Sequence, residues 1–136
     1  MDSAFLEQIP KKENGINEMQ ILNLAYVGDA VFELMVRTHI VNSSNAVTNE
    51  LHKAAKSYVC AEAQAEMYRA LAEILSDEEM SVMRRGRNAK SQSKAKNASV
   101  VDYRYATGME ALFGYLYLKD EIVRLMEIFE ICMNTK

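Results

Sequence analysis

The sequence predicts an all-α fold, organised as one domain over residues 1–136, and three observations support that prediction. Glycine (5) and proline (1) are scarce, whereas the helix-forming residues Ala, Leu, Met, Glu and Lys are plentiful. Apolar residues recur at helical spacing along most of the chain, and no segment alternates apolar and polar residues as a half-buried strand would. The length of 136 residues suits one domain with a single substantial core.

The N-terminal part predicts a leader followed by a core helix. Residues 1–16 end in a turn-like segment and predict a loose leader. Asn17, with Gln20 three residues later, has the capping-box pattern that starts a helix, and we expect this helix to reach about Val41. Its apolar residues cover most of the circumference, which is typical of a helix buried in a core.

A long helical region and a strong helix start follow. After the polar loop NSSNA, Thr48 begins a region of helical spacing that extends to Leu75, with a candidate break near Ser57-Tyr58. Ser76 and the three acidic residues after it predict the next helix, because a serine cap and early acids both stabilise the positive helix end.

The C-terminal half predicts a basic loop between helices. Residues 88–99 break all periodicity and predict an exposed loop. From about Val100 a helix carries YRYATGMEALFGYLYL, and after Lys119-Asp120 the segment EIVRLMEIFEICM forms the last helix. Nothing in this pattern indicates a second domain.

Composition and motifs exclude several functional classes. No apolar run reaches the roughly 20 residues that span a bilayer, and MDSAFLEQ lacks the features of a signal peptide, so we expect a cytoplasmic protein without a membrane partner. Cys60 and Cys132 lie far apart in helical patterns, which favours buried free thiols over a zinc site. We interpret His39 and His52 as structural, and the phosphate-binding patterns GxxxxGK and GxGxxG are absent.

Basic residues are concentrated in one segment although the chain as a whole is acidic. The formal net charge is -3, but residues 80–101 contain six basic residues and no acidic one. Such a segment suits phosphate and 2′-hydroxyl contacts along an A-form RNA duplex; a solvated loop without function is the alternative. Tyr26, Tyr115 and Tyr117 are expected in the core rather than as stacking platforms. The RNA-binding candidates are Arg84, Arg85, Arg87, Asn88, Lys90, Lys94 and Lys96.

Two apolar helices each carry one isolated carboxylate. Asp29 is the only charged residue in MQILNLAYVGDAVF, and Glu110 is the only acidic residue in YRYATGMEALFGYLYLK. The neighbours of Glu110 on the helical wheel, Thr107 and Gly114, are small and predict a notch beside it. Two carboxylates brought close together repel unless a cation lies between them. Mg²⁺ suits such a pair, because it prefers oxygen ligands and keeps several of its waters.

Ordinary structural roles are the alternatives for each acidic residue. Asp29 can cap a helix that starts directly after it, if the preceding glycine breaks the chain. Glu110 can face Arg104 or another basic group at the surface. Glu33 is either a further outer metal ligand or, as we favour, the partner of Arg37 in an ion pair between residues four apart.

Two segments resemble the metal-binding helices of ribonuclease III. LAYVGDAVFELMVR is similar to its signature helix, which has an apolar LGDAVL core, and RYATGMEALFGYLYL is similar to its second metal-binding helix. Together with LHKAAKSYVCAEAQA, RRGRNA and the length of one domain, they resemble the short Mini-ribonuclease III branch of the family, which lacks the double-stranded-RNA-binding domain. The resemblance covers residues 17–133.

The resemblance implies an activity, a cofactor and partners. It implies a ribonuclease-III-type endonuclease domain that forms a homodimer and cleaves double-stranded RNA with Mg²⁺, for which Mn²⁺ can substitute. It also implies a substrate, the precursor of large-subunit (23S) ribosomal RNA, and assistance from a large-subunit ribosomal protein. By position, Asp29 and Glu110 match the two principal catalytic, metal-binding carboxylates. Ala25 and Thr107 stand where the full-length enzyme has two further acids, so the resemblance implies half of the larger enzyme's acidic cluster and weaker or water-mediated metal coordination.

Two other functions are compatible with the sequence. A ribonuclease-III-like dimer that binds double-stranded or ribosomal RNA without cutting it would fit the loss of two carboxylates. It would show duplex binding with a steep salt dependence but no metal-dependent product. A purely structural helical protein would show neither binding nor cleavage.

Overall fold

The structure is a computed structural model that describes residue 9 and residues 19–45, 47–90 and 99–135. These residues contain six α-helices. No strand occurs within these ranges, which confirms the all-α prediction. None of the described helices is long and apolar enough to cross a membrane. The helices are α1 (Ile21–Ser43), α2 (Thr48–Val59), α3 (Ala61–Leu71), α4 (Asp77–Asn88), α5 (Val100–Leu118) and α6 (Ile122–Met133).

Helix α5 forms the centre of the fold. It packs against α1, α3 and α4, and it is buried along most of its length. The rings of Phe32 in α1 and Phe113 in α5 meet edge to face with centroids 5.1 Å apart, an arrangement that aromatic pairs favour. A helix that is apolar on all sides needs neighbours on all sides, which is why the sequence of α5 places it in the middle.

Helix α1 differs from the prediction at its start and is uninterrupted in its middle. It begins at Ile21, and Gln20 occupies the cap position without a side-chain cap hydrogen bond. The predicted cap, Asn17, lies outside the described residues, as do residues 1–8, 10–16 and 91–98 of the predicted leader and loop. Because α1 runs unbroken past Asp29, the interpretation of Asp29 as a helix cap is wrong.

The long region after Thr48 breaks at Cys60, two residues beyond the predicted position. Cys60 has an extended backbone (φ -67°, ψ 154°), so α2 ends at Val59 and α3 begins at the next residue. Helix α3 ends at Leu71, earlier than the sequence predicts. Cys60 is half-buried and Cys132 is buried, and both are free thiols.

The predicted capping box at the start of α4 is present and extends into a tertiary contact. The Glu79 backbone N–H donates to Ser76 Oγ (3.2 Å), and the Ser76 N–H donates to Glu79 Oε1 (2.9 Å). Arg124 of α6 donates to both carboxylate oxygens of Glu79 at 2.8 Å. The hydrogen bonds from Arg124, and to a smaller extent those with Ser76, lower the pKa of Glu79. The contact between Arg124 and Glu79 also holds α6 against α4.

The predicted core aromatics divide into two groups. Tyr115 and Tyr117 are buried, as expected, but Tyr26 is 83% exposed, so its placement in the core is wrong. His39 packs between the rings of Tyr58 and Phe129, which agrees with a structural role.

Candidate active site

Helices α1 and α5 cross with their backbones in direct contact. A Cβ added at Gly28 would overlap the carbonyl oxygen of Glu110, and a Cβ added at Gly114 would overlap the carbonyl oxygen of Leu24. Only glycine permits such a close approach on both helices. The notch predicted beside Glu110 is therefore filled by the backbone of α1.

The crossing brings the two isolated carboxylates together. Asp29 follows Gly28 directly, and the Glu110 backbone lies against Gly28, so both side chains emerge at the same point. Burial above all, and then the charge of Asp29 and a hydrogen bond with it, raise the pKa of Glu110 to about 8. The alternative in which Glu110 faces Arg104 or another basic group at the surface is wrong, because the neighbours that act on its carboxyl are Asp29 and Gln64.

The two carboxylates differ in their exposure. Asp29 is exposed, whereas Glu110 is only partly accessible. The Asp29 side chain therefore reaches solvent, although the same helix is buried at Gly28, Val31 and Phe32. Asp29 forms the outer edge of the site, and Glu110 forms its floor.

The donor set fits a hard divalent cation. Within residues 19–45, 47–90 and 99–135, no Lys or Arg forms an ion pair with Asp29 or Glu110. Gln64, which acts on the Glu110 carboxyl, is buried, and its amide oxygen has no hydrogen-bond partner in the same part of the chain. Carboxylate oxygens in contact, without a cationic side chain, match the ligand preference of Mg²⁺. The described residues contain no larger cluster of His, Cys, Asp or Glu suited to a metal.

The two positions that lack an acid contribute no metal ligand. Ala25 is buried in α1. Thr107 is buried in α5, and its hydroxyl donates to the Tyr103 carbonyl of the same helix at 3.0 Å. The protein therefore presents a carboxylate pair rather than a four-acid cluster at this crossing.

Glu33 stands apart from the pair. Its carboxylate accepts a hydrogen bond from Arg37 at 2.8 Å on the exposed face of α1. This confirms the predicted ion pair, and such exposed helical pairs contribute little to stability.

The predicted RNA-binding residues lie at the C-terminal end of α4 and beyond it. Arg84, Arg85, Asn88 and Lys90 are exposed and Arg87 is half-buried, while Lys94 and Lys96 lie outside the described residues. Asn88 is the last residue of α4 rather than part of the loop.

The structure adds residues from α3 and α5 that the sequence did not single out. The Arg69 and Arg87 guanidinium groups lie 5.1 and 5.9 Å from the centroid of the Tyr105 ring. A cavity of about 190 Å³ beside them is lined by Arg87, Asn88, Val101, Arg104 and Tyr105. We call the surface formed by Arg69, Arg84, Arg85, Arg87, Asn88, Lys90, Arg104 and Tyr105 the basic surface. A basic residue next to an aromatic one, as in Arg104-Tyr105, is the only sequence signal for this extension.

Fold and site together define a class of protein: an all-helical domain with the paired oxygen donors that metal-dependent hydrolases use. Residues 22–121 match the family model of the Ribonuclease III domain. Mini-ribonuclease 3 of Clostridium tetani is 44% identical over 136 residues, which cover 98% of this chain and 89% of that protein. Mini-ribonuclease 3 of Thermoanaerobacter sp. is 48% identical over 133 residues, which cover 96% of this chain and 93% of that protein.

A solved structure has the same fold. The crystal structure of a protein from Fusobacterium nucleatum matches with a TM-score of 0.78 and 28% sequence identity, over 88% of this chain and 96% of that chain. The chain belongs to the ribonuclease III family, in its Mini-ribonuclease 3 branch, and is an endoribonuclease.

The raised pKa of Glu110 predicts a pH-dependent stability in the absence of metal. Between its ordinary pKa of 4.5 and its folded value of about 8, the folded state binds a proton that the unfolded state has lost. The free energy of unfolding should therefore fall as pH rises through this window, by up to about 1.4 kcal/mol per pH unit. Urea unfolding in EDTA from pH 5 to 8.5 measures it.

The Glu110→Gln variant is the control for this pH dependence. Other titrating groups are common to both proteins and cancel in the difference, so the variant should gain stability relative to the wild type as pH rises. A difference that stays constant from pH 5 to 8.5 contradicts the raised pKa.

Proposed function

We propose that this protein is a divalent-metal-dependent endoribonuclease that hydrolyses double-stranded RNA at Asp29 and Glu110. The observation that carries the proposal is the contact between these carboxyl groups, which a glycine crossing holds together although they are far apart in sequence. Two neighbouring carboxylates repel each other when both are charged. A divalent cation bound between them would replace this repulsion with attraction to both. The relatives that match nearly the whole length of this chain are named Mini-ribonuclease 3.

Each carboxylate has a distinct part in the mechanism. Glu110 binds from the buried side and has to lose its proton first, because its pKa is about 8. Asp29 binds from the exposed side, where the phosphodiester arrives. When bound, Mg²⁺ supplies charge stabilisation at the scissile phosphate and lowers the pKa of the attacking water. Mn²⁺, which shares the preference for octahedral oxygen ligands, is expected to substitute.

The basic surface positions the duplex. Its side chains come from α3, α4 and α5, apart from Lys90, which follows α4. Because α5 also carries Glu110, bound RNA would be held in a fixed position relative to the carboxylates. Guanidinium groups form paired hydrogen bonds with phosphate oxygens, and such contacts fix the register of a duplex without reading its sequence.

Replacement of Arg87 or Arg104 should weaken the electrostatic component of duplex binding. We expect Arg87→Ala and Arg104→Ala each to reduce the slope of log K against log [salt] by about 1, with little dependence on RNA sequence. Fluorescence anisotropy of a labelled duplex at several salt concentrations measures this. Lys53→Ala on α2, outside the basic surface, is the control, and slopes equal to that control would contradict the assignment.

A homodimer is supported by the exposed apolar side of α1. Tyr26 is 83% exposed, Leu34 is 51% exposed and Leu22 is 36% exposed, all on the helix that carries Asp29. Large apolar side chains that lie together on a surface mark interaction sites. A second copy bound there would place two sites near each other, one for each RNA strand.

Charge introduced into this side of α1 should separate the protomers. Tyr26→Asp is expected to be monomeric in light scattering coupled to size exclusion, because an unpaired carboxylate would be buried in the interface. Val123→Asp, at an equally exposed apolar position on α6 (76%), should stay dimeric. A dimeric Tyr26→Asp variant would place the interface elsewhere.

The substrate in the cell follows from the family resemblance. We assign the precursor of 23S ribosomal RNA, in the cytoplasm, as the double-stranded substrate, with a large-subunit ribosomal protein as the assisting partner. A non-catalytic RNA-binding dimer is the second candidate, and the missing acids at Ala25 and Thr107 favour it.

One experiment separates the two candidates. Purified protein is incubated with a long RNA duplex and with a 23S precursor stem, each with Mg²⁺ or EDTA, and the products are resolved on a denaturing gel. Discrete products that appear only with Mg²⁺ establish the nuclease. Full-length RNA under both conditions, together with a gel-shift complex, establishes the binding dimer.

A further inference from the structure

We infer that Tyr105 is a positioning residue for duplex binding: its ring orders the guanidinium groups of Arg69 and Arg87 before the RNA arrives. The inference rests on the proposed function, because it concerns how the basic surface holds the duplex. Arg69 lies in α3, Arg87 in α4 and Tyr105 in α5, so only the fold brings the three side chains together.

Both guanidinium groups lie over the same aromatic ring. The Cζ atoms of Arg69 and Arg87 are 5.1 and 5.9 Å from the centroid of the Tyr105 ring. The face of an aromatic ring carries a negative electrostatic potential, and it attracts guanidinium cations within about 6 Å of its centroid. Attraction to one shared ring offsets the repulsion between the two cations and keeps them on the same part of the surface.

A buried tyrosine fixes the Tyr105 ring in turn. The rings of Tyr68 and Tyr105 meet edge to face, with centroids 4.6 Å apart and 73° between their planes. Tyr68 is 3% exposed, and a Cβ added at Gly108 would lie only 2.9 Å from its Cε2 atom, so Tyr68 packs tightly against α5. Because Tyr68 has little room to move, the Tyr105 ring is a rigid support for the arginines.

Asn88 restrains Arg87 from a second direction. Arg87 Nε donates to Asn88 Oδ1 at 3.1 Å. This hydrogen bond uses the ε nitrogen, whereas the terminal nitrogens of the guanidinium carry the remaining N–H donors and can form paired hydrogen bonds with a phosphate. The ring and the amide therefore hold Arg87 at the wall of the cavity of about 190 Å³ that Arg104 and Tyr105 also line.

Ordering matters because a free arginine side chain samples many rotamers. Contact with a phosphate restricts those rotamers, and the loss of entropy weakens binding. Guanidinium groups that Tyr105 already holds lose less entropy when the duplex binds. Leucine at this half-buried position would keep an apolar contact but would offer no ring face to the two cations. This difference between leucine and an aromatic residue defines the test.

Substitutions of Tyr105 test the role of its ring. Tyr105→Leu removes the ring face, and we expect duplex affinity to fall roughly 5–30-fold, which corresponds to the loss of two cation–π contacts at the surface. Tyr105→Phe keeps the ring and should retain most of the affinity. Because neither variant removes a charge, the slope of log K against log [salt] should keep its wild-type value, in contrast to Arg87→Ala. Fluorescence anisotropy of a labelled RNA duplex in EDTA measures affinity and slope without cleavage.

The control makes the same exchange outside the basic surface. Tyr58→Leu, at a half-buried position on α2, should bind the duplex as the wild type does. Wild-type affinity of Tyr105→Leu would overturn the inference. A loss in Tyr105→Phe as large as that in Tyr105→Leu would also overturn it, because the hydroxyl rather than the ring face would then be the useful group.

A double-mutant comparison asks whether Tyr105 acts through the arginines. In the Arg69→Ala/Arg87→Ala background, at low salt, Tyr105→Leu should cause little further loss of affinity, since the groups that it positions are already gone. The same fold-loss as in the wild-type background would overturn the inference, because the ring would then contact the RNA itself.

A measurement on the wild type covers the case in which Tyr105→Leu does not fold. In NMR spectra without RNA, side-chain protons of Arg69 and Arg87 should be shifted upfield by the ring current of Tyr105 and should show nuclear Overhauser contacts with its ring protons. Random-coil shifts without such contacts would overturn the inference.

The inference and the proposed function fail separately in these experiments. A protein that shows the expected effects of Tyr105→Leu on duplex binding but leaves RNA uncut with Mg²⁺ refutes the nuclease and supports the positioning role. A protein that cuts duplex RNA with Mg²⁺, but binds it equally well with leucine at position 105, overturns the positioning role alone.

Discussion

Asp29→Asn or Glu110→Gln should reduce cleavage of duplex RNA on the order of 10³-fold while duplex affinity changes little. Each amide removes one of the two charges that hold the divalent ion, and loss of several kcal/mol of charge stabilisation at the phosphate corresponds to such a factor. The proposed RNA-binding residues lie on the basic surface and are unchanged in these variants. Single-turnover cleavage at saturating protein measures the chemical step, and anisotropy measures binding.

The controls for these variants come from the same helix and from the pair itself. Glu33→Gln changes a carboxylate one turn beyond Asp29 that is paired with Arg37, and it should cleave like the wild type. The double variant should be barely slower than either single one, because two ligands of one ion act as a unit. Persistent cleavage by Asp29→Asn would contradict the assignment of the site.

Gly28→Ala and Gly114→Ala should each destabilise the protein by about 3–5 kcal/mol, among the largest effects of single substitutions. In a helix with free space, Gly→Ala stabilises by up to about 1 kcal/mol, so the expected change has the opposite sign. The added methyl group would overlap a backbone carbonyl of the other helix, and backbone atoms cannot move aside as a flexible side chain can. Chemical unfolding monitored by circular dichroism measures the loss.

A graded series makes this prediction specific to the crossing. At Gly86, where α4 meets α5, an added Cβ would lie 2.8 Å from Gly108 Cα and 2.9 Å from Ala111 Cβ, which is a milder conflict. Gly86→Ala should therefore destabilise the protein less than either variant at the α1–α5 crossing. Equal effects at all three positions would contradict direct backbone contact between α1 and α5.

The sequence predicted those features that depend on residues near each other in the chain. The capping box of Ser76 and Glu79, the ion pair of Glu33 and Arg37 and the start of α2 at Thr48 all lie within a few residues, and all are present. The start of α1 was predicted less well, because apparent cap residues compete and tertiary packing decides between them. The break at Cys60 was misplaced by two residues for a similar reason.

The two acids of the candidate site could be predicted from the sequence, but the buried residue beside them could not. Asp29 and Glu110 are recognisable because each is a lone acidic residue in an apolar helix. Gln64 gives no such signal, since a single polar residue in a helix is unremarkable until the neighbouring helix is known. The exposure of Tyr26 was also missed, because a side chain that another copy could bury has the same apolar character as a core residue.

Anomalous X-ray diffraction from Mn²⁺-soaked crystals tests most directly whether Asp29 and Glu110 together hold a divalent ion. The expected result is a Mn²⁺ peak at the crossing of α1 and α5, coordinated by oxygens of both carboxylates, and its absence from crystals of Asp29→Asn. A peak bound elsewhere, or a crossing without a peak in wild-type crystals that contain Mn²⁺, would contradict the proposed site.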